Sequence, residues 1–261
     1  GRDVGEYMES ARGRSRAQWE QRELEAGPHA WAALYQGNPT PDTGNILPSG
    51  VWRRWPPELQ PWIDRADGTR WIPDVSSDLD SELIQSWDLA FKGEARSDFA
   101  VGQVWLRRGP DAWLLDQVRG RWGFTETLTQ MRDLSARWPQ AVAKLVEDAA
   151  NGPAVINALR HELTGLTPVR PEGSKVARAH AIAPLAHAGN LLLPQSAPWV
   201  GDLIAEAAAF PTGANDDQVD ALTQAAHRLL LVPILEDHHL DPNELTGPAD
   251  DMAWLEAASS W

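Results

Sequence analysis

No cysteine occurs among the 261 residues. Disulfides, thiol catalysis and cysteine-ligated zinc are thereby excluded, and any metal must be held by oxygen or imidazole. Imidazole is dispersed: of the seven histidines, only His238 and His239 are adjacent. Carboxylates therefore favour a hard ion, Mg²⁺ or Mn²⁺, over zinc. Missing too are any apolar run of about 18 residues and any signal-peptide pattern, so neither a membrane span nor secretion is indicated and an intracellular setting is expected. The run Gly-x-x-x-x-Gly-Lys-Ser/Thr does not occur, so ATP hydrolysis by a phosphate loop is not encoded. Nor does a Ser-His-Asp order offer nucleophilic catalysis.

Positive charge is also in short supply. The formal net charge of −14 argues against a generally adhesive nucleic-acid surface, because the phosphate backbone dominates such affinity. The shortage is uneven. Glu236, Asp237, Asp241, Glu244, Asp250, Asp251 and Glu256 form a tail without Lys or Arg, read as a mobile terminus. Between Val104 and Ala179, eleven Lys or Arg face eight acids, which leaves room for a basic face. The fourteen tryptophans follow no stacking period and read as packing residues.

The length suffices for one large domain or for a domain with an appendage. Two β-rich runs, Leu83 to Phe91 and Phe99 to Arg107, flank a turn at Lys92 to Ser97, and a third strand over Ala112 to Arg119 completes a meander. A helix is expected from Thr125, as N-cap, to about Arg137, ahead of Pro139. Then come a strand at Val142 to Val146, a helix from Pro153 to Leu163, a strand at Leu166 to Val169, a helix from Lys175 to His187 and a strand at Leu191 to Leu193. Helices at Val200 to Ala209 and Asp216 to Leu231 finish the pattern. The expectation is an α/β fold, a mixed sheet of an antiparallel three-strand meander plus parallel strands with helices on both faces. Asn38 to Asp80, dense in Pro, Gly and Trp, reads as a connector containing short elements.

Chemistry concentrates in acids. Asp88, flanked by Trp87 and Leu89 in a strand, needs hydrogen bonds, a counter-charge or a metal unless it sits at a frayed end facing water. Glu147 and Asp148 end an apolar strand, the place where open sheets present ligand-binding groups. Asn215-Asp-Asp-Gln-Val-Asp-Ala opens a helix on which Asp217 and Asp220, or Asp216 and Asp220, share a face. The helix dipole alone accounts for Asp216 and Asp217, but not for Asp220. If Asn215 caps the helix, Asp216 and Asp217 point about 100° apart, so one of them is the ligand. Asp217 is favoured, with Asp216 as the alternative.

Four stretches, in order and spacing, resemble one family. Trp87-Asp88-Leu-Ala-Phe with Ser97-Asp98-Phe, Leu145-Val-Glu147-Asp148-Ala-Ala-Asn-Gly, Gly173-Ser-Lys175-Val-Ala-Arg178-Ala and Asn215-Asp-Asp-Gln-Val-Asp-Ala are similar to the C-terminal nuclease domain of the bacteriophage terminase large subunit. Trp31 to Gly44 resembles the segment that joins that family's ATPase domain to the nuclease. The resemblance implies a ribonuclease H-like fold and a two-metal DNA endonuclease that cuts concatemeric double-stranded DNA during packaging. It further implies the portal protein and small terminase subunit as partners, in the host cytoplasm. Carried over by motif, Asp88, Glu147 and one acid of the Asp216-Asp217 pair would be the catalytic metal ligands, Asp217 being the one favoured above, with Asp220 an accessory ligand or a supporting acid and Lys175 and Arg178 phosphate contacts or a solvated helix start. Asp98 matches as well but is read as structural.

The division expected is a linker over 1–45, a nuclease domain over 46–235 and an acidic tail over 236–261. The family's motor half is not in this chain, which is then a fragment or a truncated product. Two other readings stay open, a ribonuclease H-like nuclease of another substrate class (Holliday junctions or RNA) and a portal-docking, DNA-guiding module with weak cleavage.

Overall fold

The computed structural model describes residues 18–19, 46–73, 75, 81–89, 99–148 and 152–232. The expected turn at Lys92 to Ser97, Asp98, the Trp31 to Gly44 segment and the acidic tail lie outside the described residues.

Nine strands and five α-helices, with a 3-10 turn at Pro57–Leu59 between the first two strands, follow in order among the described residues from 46 to 232. They are β1 (Arg53–Trp55), β2 (Ile63–Asp64), β3 (Arg70–Trp71), β4 (Ser81–Asp88), β5 (Ala100–Arg108), β6 (Asp111–Gly120), α1 (Phe124–Arg137), β7 (Ala143–Glu147), α2 (Gly152–Leu159), β8 (Leu166–Val169), α3 (Lys175–Ala188), β9 (Leu191–Pro194), α4 (Val200–Ala209) and α5 (Asp217–Ala226), the last running into a π-helical turn at His227–Leu231. Seven strands form one sheet in the order β1-β9-β6-β5-β4-β7-β8. β4, β5 and β6 are antiparallel neighbours, while β7, β8, β9 and β1 join by parallel pairings. The meander with parallel flanks is as the residue pattern predicts.

Alternation along the strands decides which side chains meet which helices. In β4, Leu83 and Trp87 enter a core with α1 and α2, whereas Ile84 enters a core with α3, α4 and α5. Ser86 shares the second face, where its Oγ donates to Ala221 O of α5 at 2.8 Å. By the same parity Asp88 faces α5. In β7, Leu145 belongs to the α5 side and Val146 to the α1 side, so Glu147 also falls on the α5 side. Helices thus cover both faces.

Several boundaries differ from the sequence reading. α1 starts one residue early, at Phe124, with Gly123 rather than Thr125 as its N-cap; the Gly123 N–H is taken by the Glu126 carboxylate at 3.1 Å. Glycine has no side chain to return that bond, so only the Glu126 half of a capping box is made. α2 ends at Leu159, where the chain turns, instead of reaching Leu163. The Asn38 to Asp80 connector contributes more than a cover among its described residues: β1 pairs with β9, and Leu47, Trp52 and Trp55 are buried. Tryptophan serves packing there, with Trp55 edge-on to Trp62 at 5.8 Å and Trp62 edge-on to Trp138 at 5.2 Å.

Gly102 opposes Trp87 across the β4–β5 ladder, and a Cβ at this glycine would stand 2.5 Å from the indole. Trp87 is fully buried and its Nε1 donates to Gln85 Oε1 at 3.0 Å, so the ring cannot retreat freely. Gly102→Ala is expected to cost about 1–3 kcal/mol of unfolding free energy in urea, the range for overpacked cores. A loss under about 0.5 kcal/mol, typical of a surface change, would show that the ring has room.

Candidate active site

Asp88 and Glu147 are the last residues of neighbouring parallel strands. The β4–β7 register runs to Trp87↔Val146, so the two acids follow side by side on the same face of the sheet. A Cβ at Gly152, the first residue of α2, would collide with the Glu147 carbonyl oxygen, so glycine allows α2 to start against the end of β7.

α5 lies over this end of the sheet. Its sequence does not read as a fully buried helix, yet Asp217, Gln218, Val219, Asp220, Ala221, Leu222 and Thr223 are all buried. Gln224 pins it down, donating from Nε2 to Ser86 Oγ at 2.8 Å and, more weakly, to Leu145 O at 3.4 Å. Asp216, not Asn215, is the N-cap residue, and Asp216 O accepts the first helical bond from Asp220 N at 2.9 Å. The Asp216 side chain does not cap. It reaches Lys175 Nζ at 2.7 Å and is partly exposed, while Asp217 and Asp220 are buried.

Lys175 and Arg178, on the first turn of α3, meet the helical acids directly. Lys175 Nζ lies 2.6 Å from Asp220 Oδ2, and Arg178 Nη2 lies 2.9 Å from Asp220 Oδ1. Ser174 caps α3 by accepting from Ala177 N at 3.1 Å, which fixes the turn that carries both cations. Burial works against the Lys175 charge, but hydrogen bonds to Asp216 and Asp220 outweigh it and hold the ammonium above the usual lysine range.

Asp88 is in a different state. Burial first, and then the negative charges of Asp220, Asp217 and Glu147, raise its carboxyl well above the usual aspartate range, against the opposing pull of Lys175. Asp88, Glu147, Asp217 and Asp220 therefore share one electrostatic site. Among the described residues, no three acids or histidines converge closely enough to hold one ion between them. The donor set nevertheless fits a hard divalent cation, since every acid offers oxygen and Asp88 stands among like charges that a cation would relieve.

The supports of α5 escaped the sequence reading. Glu206 of α4, 6% exposed at its side chain, accepts from the backbone N–H and the Nε2 of Gln218, each at 2.7 Å, and from Arg119 Nη2 at 2.8 Å. Gln117 Nε2 donates to Gln218 Oε1 at 2.8 Å, and Gln103 Nε2 donates to Gln117 Oε1 at 2.9 Å. A lone glutamine in each of two otherwise largely apolar strands, Gln103 and Gln117, was the available signal, because uncharged amides on a buried face require partners. A second buried acid, Asp116, accepts from Arg70, Arg137 and Trp138 on the opposite face and is structural. The basic middle of the chain is accordingly not one basic face: Arg119, Arg132, Arg137, Lys175 and Arg178 each pair with an acid, and Lys144 is buried with its Nζ donating to Ala141 O.

A mixed sheet with acids ending two adjacent parallel strands, faced by acids on a crossing helix, defines a ribonuclease H-like domain. The chain belongs to the terminase RNaseH-like domain family, whose model matches residues 85–229, more than half its length. No curated protein matches by sequence. Among solved structures, the large terminase of the thermophilic bacteriophage D6E in complex with ADP shares the fold at 11% identity and a TM-score of 0.54, over 84% of this chain and 53% of that one. The large terminase nuclease of thermophilic phage G20c with bound zinc is 16% identical, with a TM-score of 0.47 over 69% of this chain and 95% of that one. The Thermus phage P74-26 large terminase nuclease domain is 15% identical, with a TM-score of 0.46 over 70% and 94%. No helix among the described residues is long and apolar enough to cross a membrane.

Proposed function

We propose that this chain is a metal-dependent endodeoxyribonuclease that cuts concatemeric viral DNA during genome packaging. The observation that carries the reading is the clustering of Asp88, Glu147, Asp217 and Asp220 at one end of the sheet, with Asp88 held among like charges. Asp88, Glu147 and Asp217 would hold two Mg²⁺ or Mn²⁺ ions. Such a pair of ions activates water and stabilises the leaving oxygen in attack at phosphorus.

Asp217 is preferred to Asp216 because it is buried on the site side, whereas the Asp216 carboxylate already meets Lys175. Asp220, bound by both Lys175 and Arg178, acts as their anchor more than as a ligand. Those two cations orient the scissile strand by contacting its phosphates. In this reading residues 46–235 form the nuclease domain, 1–45 the link to an ATPase domain and 236–261 an acidic tail. The substrate is double-stranded DNA, the portal protein and small terminase subunit are partners, and the setting is the host cytoplasm.

The test is nicking of plasmid by the purified chain with Mn²⁺, run beside four-way junctions and RNA:DNA hybrids. Plasmid cutting is expected; strict preference for junctions or hybrids would replace the packaging role with that of another nuclease of this fold. Metal binding is expected to show without turnover as well. A site saturated a hundredfold over its Kd gains about 2.7 kcal/mol, so millimolar Mn²⁺ should raise the melting temperature by about 5–10 °C. A melting temperature indifferent to Mn²⁺ would count against the site.

The net charge of −14 favours a second reading, in which the acidic tail docks on a basic portal surface and cleavage in isolation is weak. Equal portal affinity with and without the residues after Pro233 would remove it.

A further inference from the structure

Asp88 pairs with Val101, and Val101 pairs with Arg119, so the end of the sheet that carries the acids continues across β5 to the end of β6. By strand parity Phe99, Arg119 and Arg121 share the α5 side with Asp88. Two strand spacings place Arg119 about 10 Å from the acid.

At this end the Phe99 ring lies between two guanidinium groups, with Arg119 Cζ 3.9 Å and Arg121 Cζ 4.5 Å from its centroid. Arg119 is tied to Glu206, and its buried Nε–H has no acceptor among the described residues. Arg121 is exposed, and among the described residues its guanidinium meets the Phe99 ring and no carboxylate. Among the described residues, Lys175, Arg178 and Arg170, other cations on the side of the acids, are all in ion pairs. Beside Arg119 a hollow of about 350 Å³ opens between β6 and the α4–α5 connection, lined by Ala205, Ala209, Gly213, Ala214 and Asn215, with Glu206, paired to Arg119, also on its wall. Its small side chains let a chain come close, and Asp202 on its wall disfavours a phosphate inside it.

We propose that this patch is a DNA-strand contact on the β5–β6 side of the cut, with Arg121 on a backbone phosphate and the hollow taking the sugar and base of the adjoining nucleotide. The inference rests on the nuclease reading above and adds a place and a path to it. One strand passes from the Lys175 and Arg178 side, over the acids, to Arg121. Phe99 holds the guanidinium plane by stacking, so that the charge is presented without a carboxylate partner. The arrangement answers how a chain of net charge −14 holds a polyanion: it needs a local uncancelled cation at the site rather than a basic surface.

The experiment measures binding of a fluorescein-labelled DNA duplex to the full chain in EDTA across a salt series, comparing the parent, Arg121→Ala and Arg108→Ala. Arg108 is exposed and ends β5 opposite Ser81, at the other end of the sheet from Asp88, so it makes the same change in net charge away from the site. Arg121→Ala is expected to weaken binding about 5–10-fold near 0.1 M salt and to reduce the slope of log K against log salt by about 0.9, the loss of one phosphate contact. Arg108→Ala should change neither, and Arg121→Lys should restore most of the slope. Equal effects of the two alanine variants, or no effect of Arg121→Ala, overturn the proposal. The Mn²⁺-induced rise in melting temperature, measured on the same proteins, separates the two levels. If that rise persists and DNA binds, failure at Arg121 sinks this inference alone; absence of both from the parent chain sinks the nuclease reading with it.

Discussion

Asp88→Asn is expected to lower Mn²⁺-dependent nicking by at least about 10³-fold, equivalent to about 4 kcal/mol of barrier, while making the metal-free protein more stable at neutral pH. The first effect follows from removing a charged oxygen ligand next to Glu147 and the α5 acids. The second follows from linkage. Burial and like charges raise the folded-state carboxyl well above its ordinary value of 3.8, so between the unfolded and folded values the native state binds more protons than the unfolded chain. Stability contributed at this position is greatest at low pH and is lost as pH rises towards the folded value. Above that it stays lost. Neutral asparagine avoids the penalty, so the melting curves of parent and variant should converge below about pH 4 and separate as pH rises. Nicking by the variant at the parental rate would remove Asp88 from the site, and parallel pH–stability curves would show that its carboxylate is not crowded.

The second large effect is expected at a residue that contacts no metal. Glu206→Ala leaves the Gln218 N–H and Nε2 without acceptors and Arg119 without its carboxylate, at a site where the Glu206 side chain is 6% exposed. Removing one partner of a buried pair costs about 3–5 kcal/mol, with Arg119 at 19% exposure screened enough to favour the lower end. Guanidinium denaturation measures it. Because Gln218 lies between Asp217 and Asp220, the same change should weaken Mn²⁺ binding, seen as a smaller melting shift. A destabilisation under about 1 kcal/mol, the scale of an ordinary hydrogen bond, would mean that the first turn of α5 is held by its core contacts alone.

Much of this arrangement was open to reading from residue types. The β-rich runs Leu83 to Phe91 and Phe99 to Arg107 on either side of Lys92 to Ser97 betray the meander, Asp88 is marked by its apolar neighbours Trp87 and Leu89, and Glu147 by the apolar run it terminates. Asp217 and Asp220 were visible by helical spacing. The N-caps were not, because Gly123 and Asp216 act through backbone geometry and lack the side-chain bond that Thr125 and Asn215 advertise. Nor was the burial of α5, since the Gln and Asp content of Asp217 to Gln224 resembles a solvated face until Gln103, Gln117 and Glu206 supply partners from elsewhere in the chain. Likewise, Lys175 and Arg178 carry the same sequence signal whether they face phosphate or pair with Asp216 and Asp220. Only three-dimensional proximity reveals the pairing.

The parity of β4 bears on how such a chain can change length over evolutionary time. Ile84, Ser86 and Asp88 look towards α5, and Leu83, Gln85 and Trp87 look towards α1. A single codon gained or lost between Leu83 and Asp88 would turn every later side chain over, presenting an indole where the acid belongs and driving the carboxylate under α1. Viable insertions and deletions inside this strand must come in twos. Homologues aligned without odd-length gaps across β4 are the pattern this geometry would leave in the genes of the lineage.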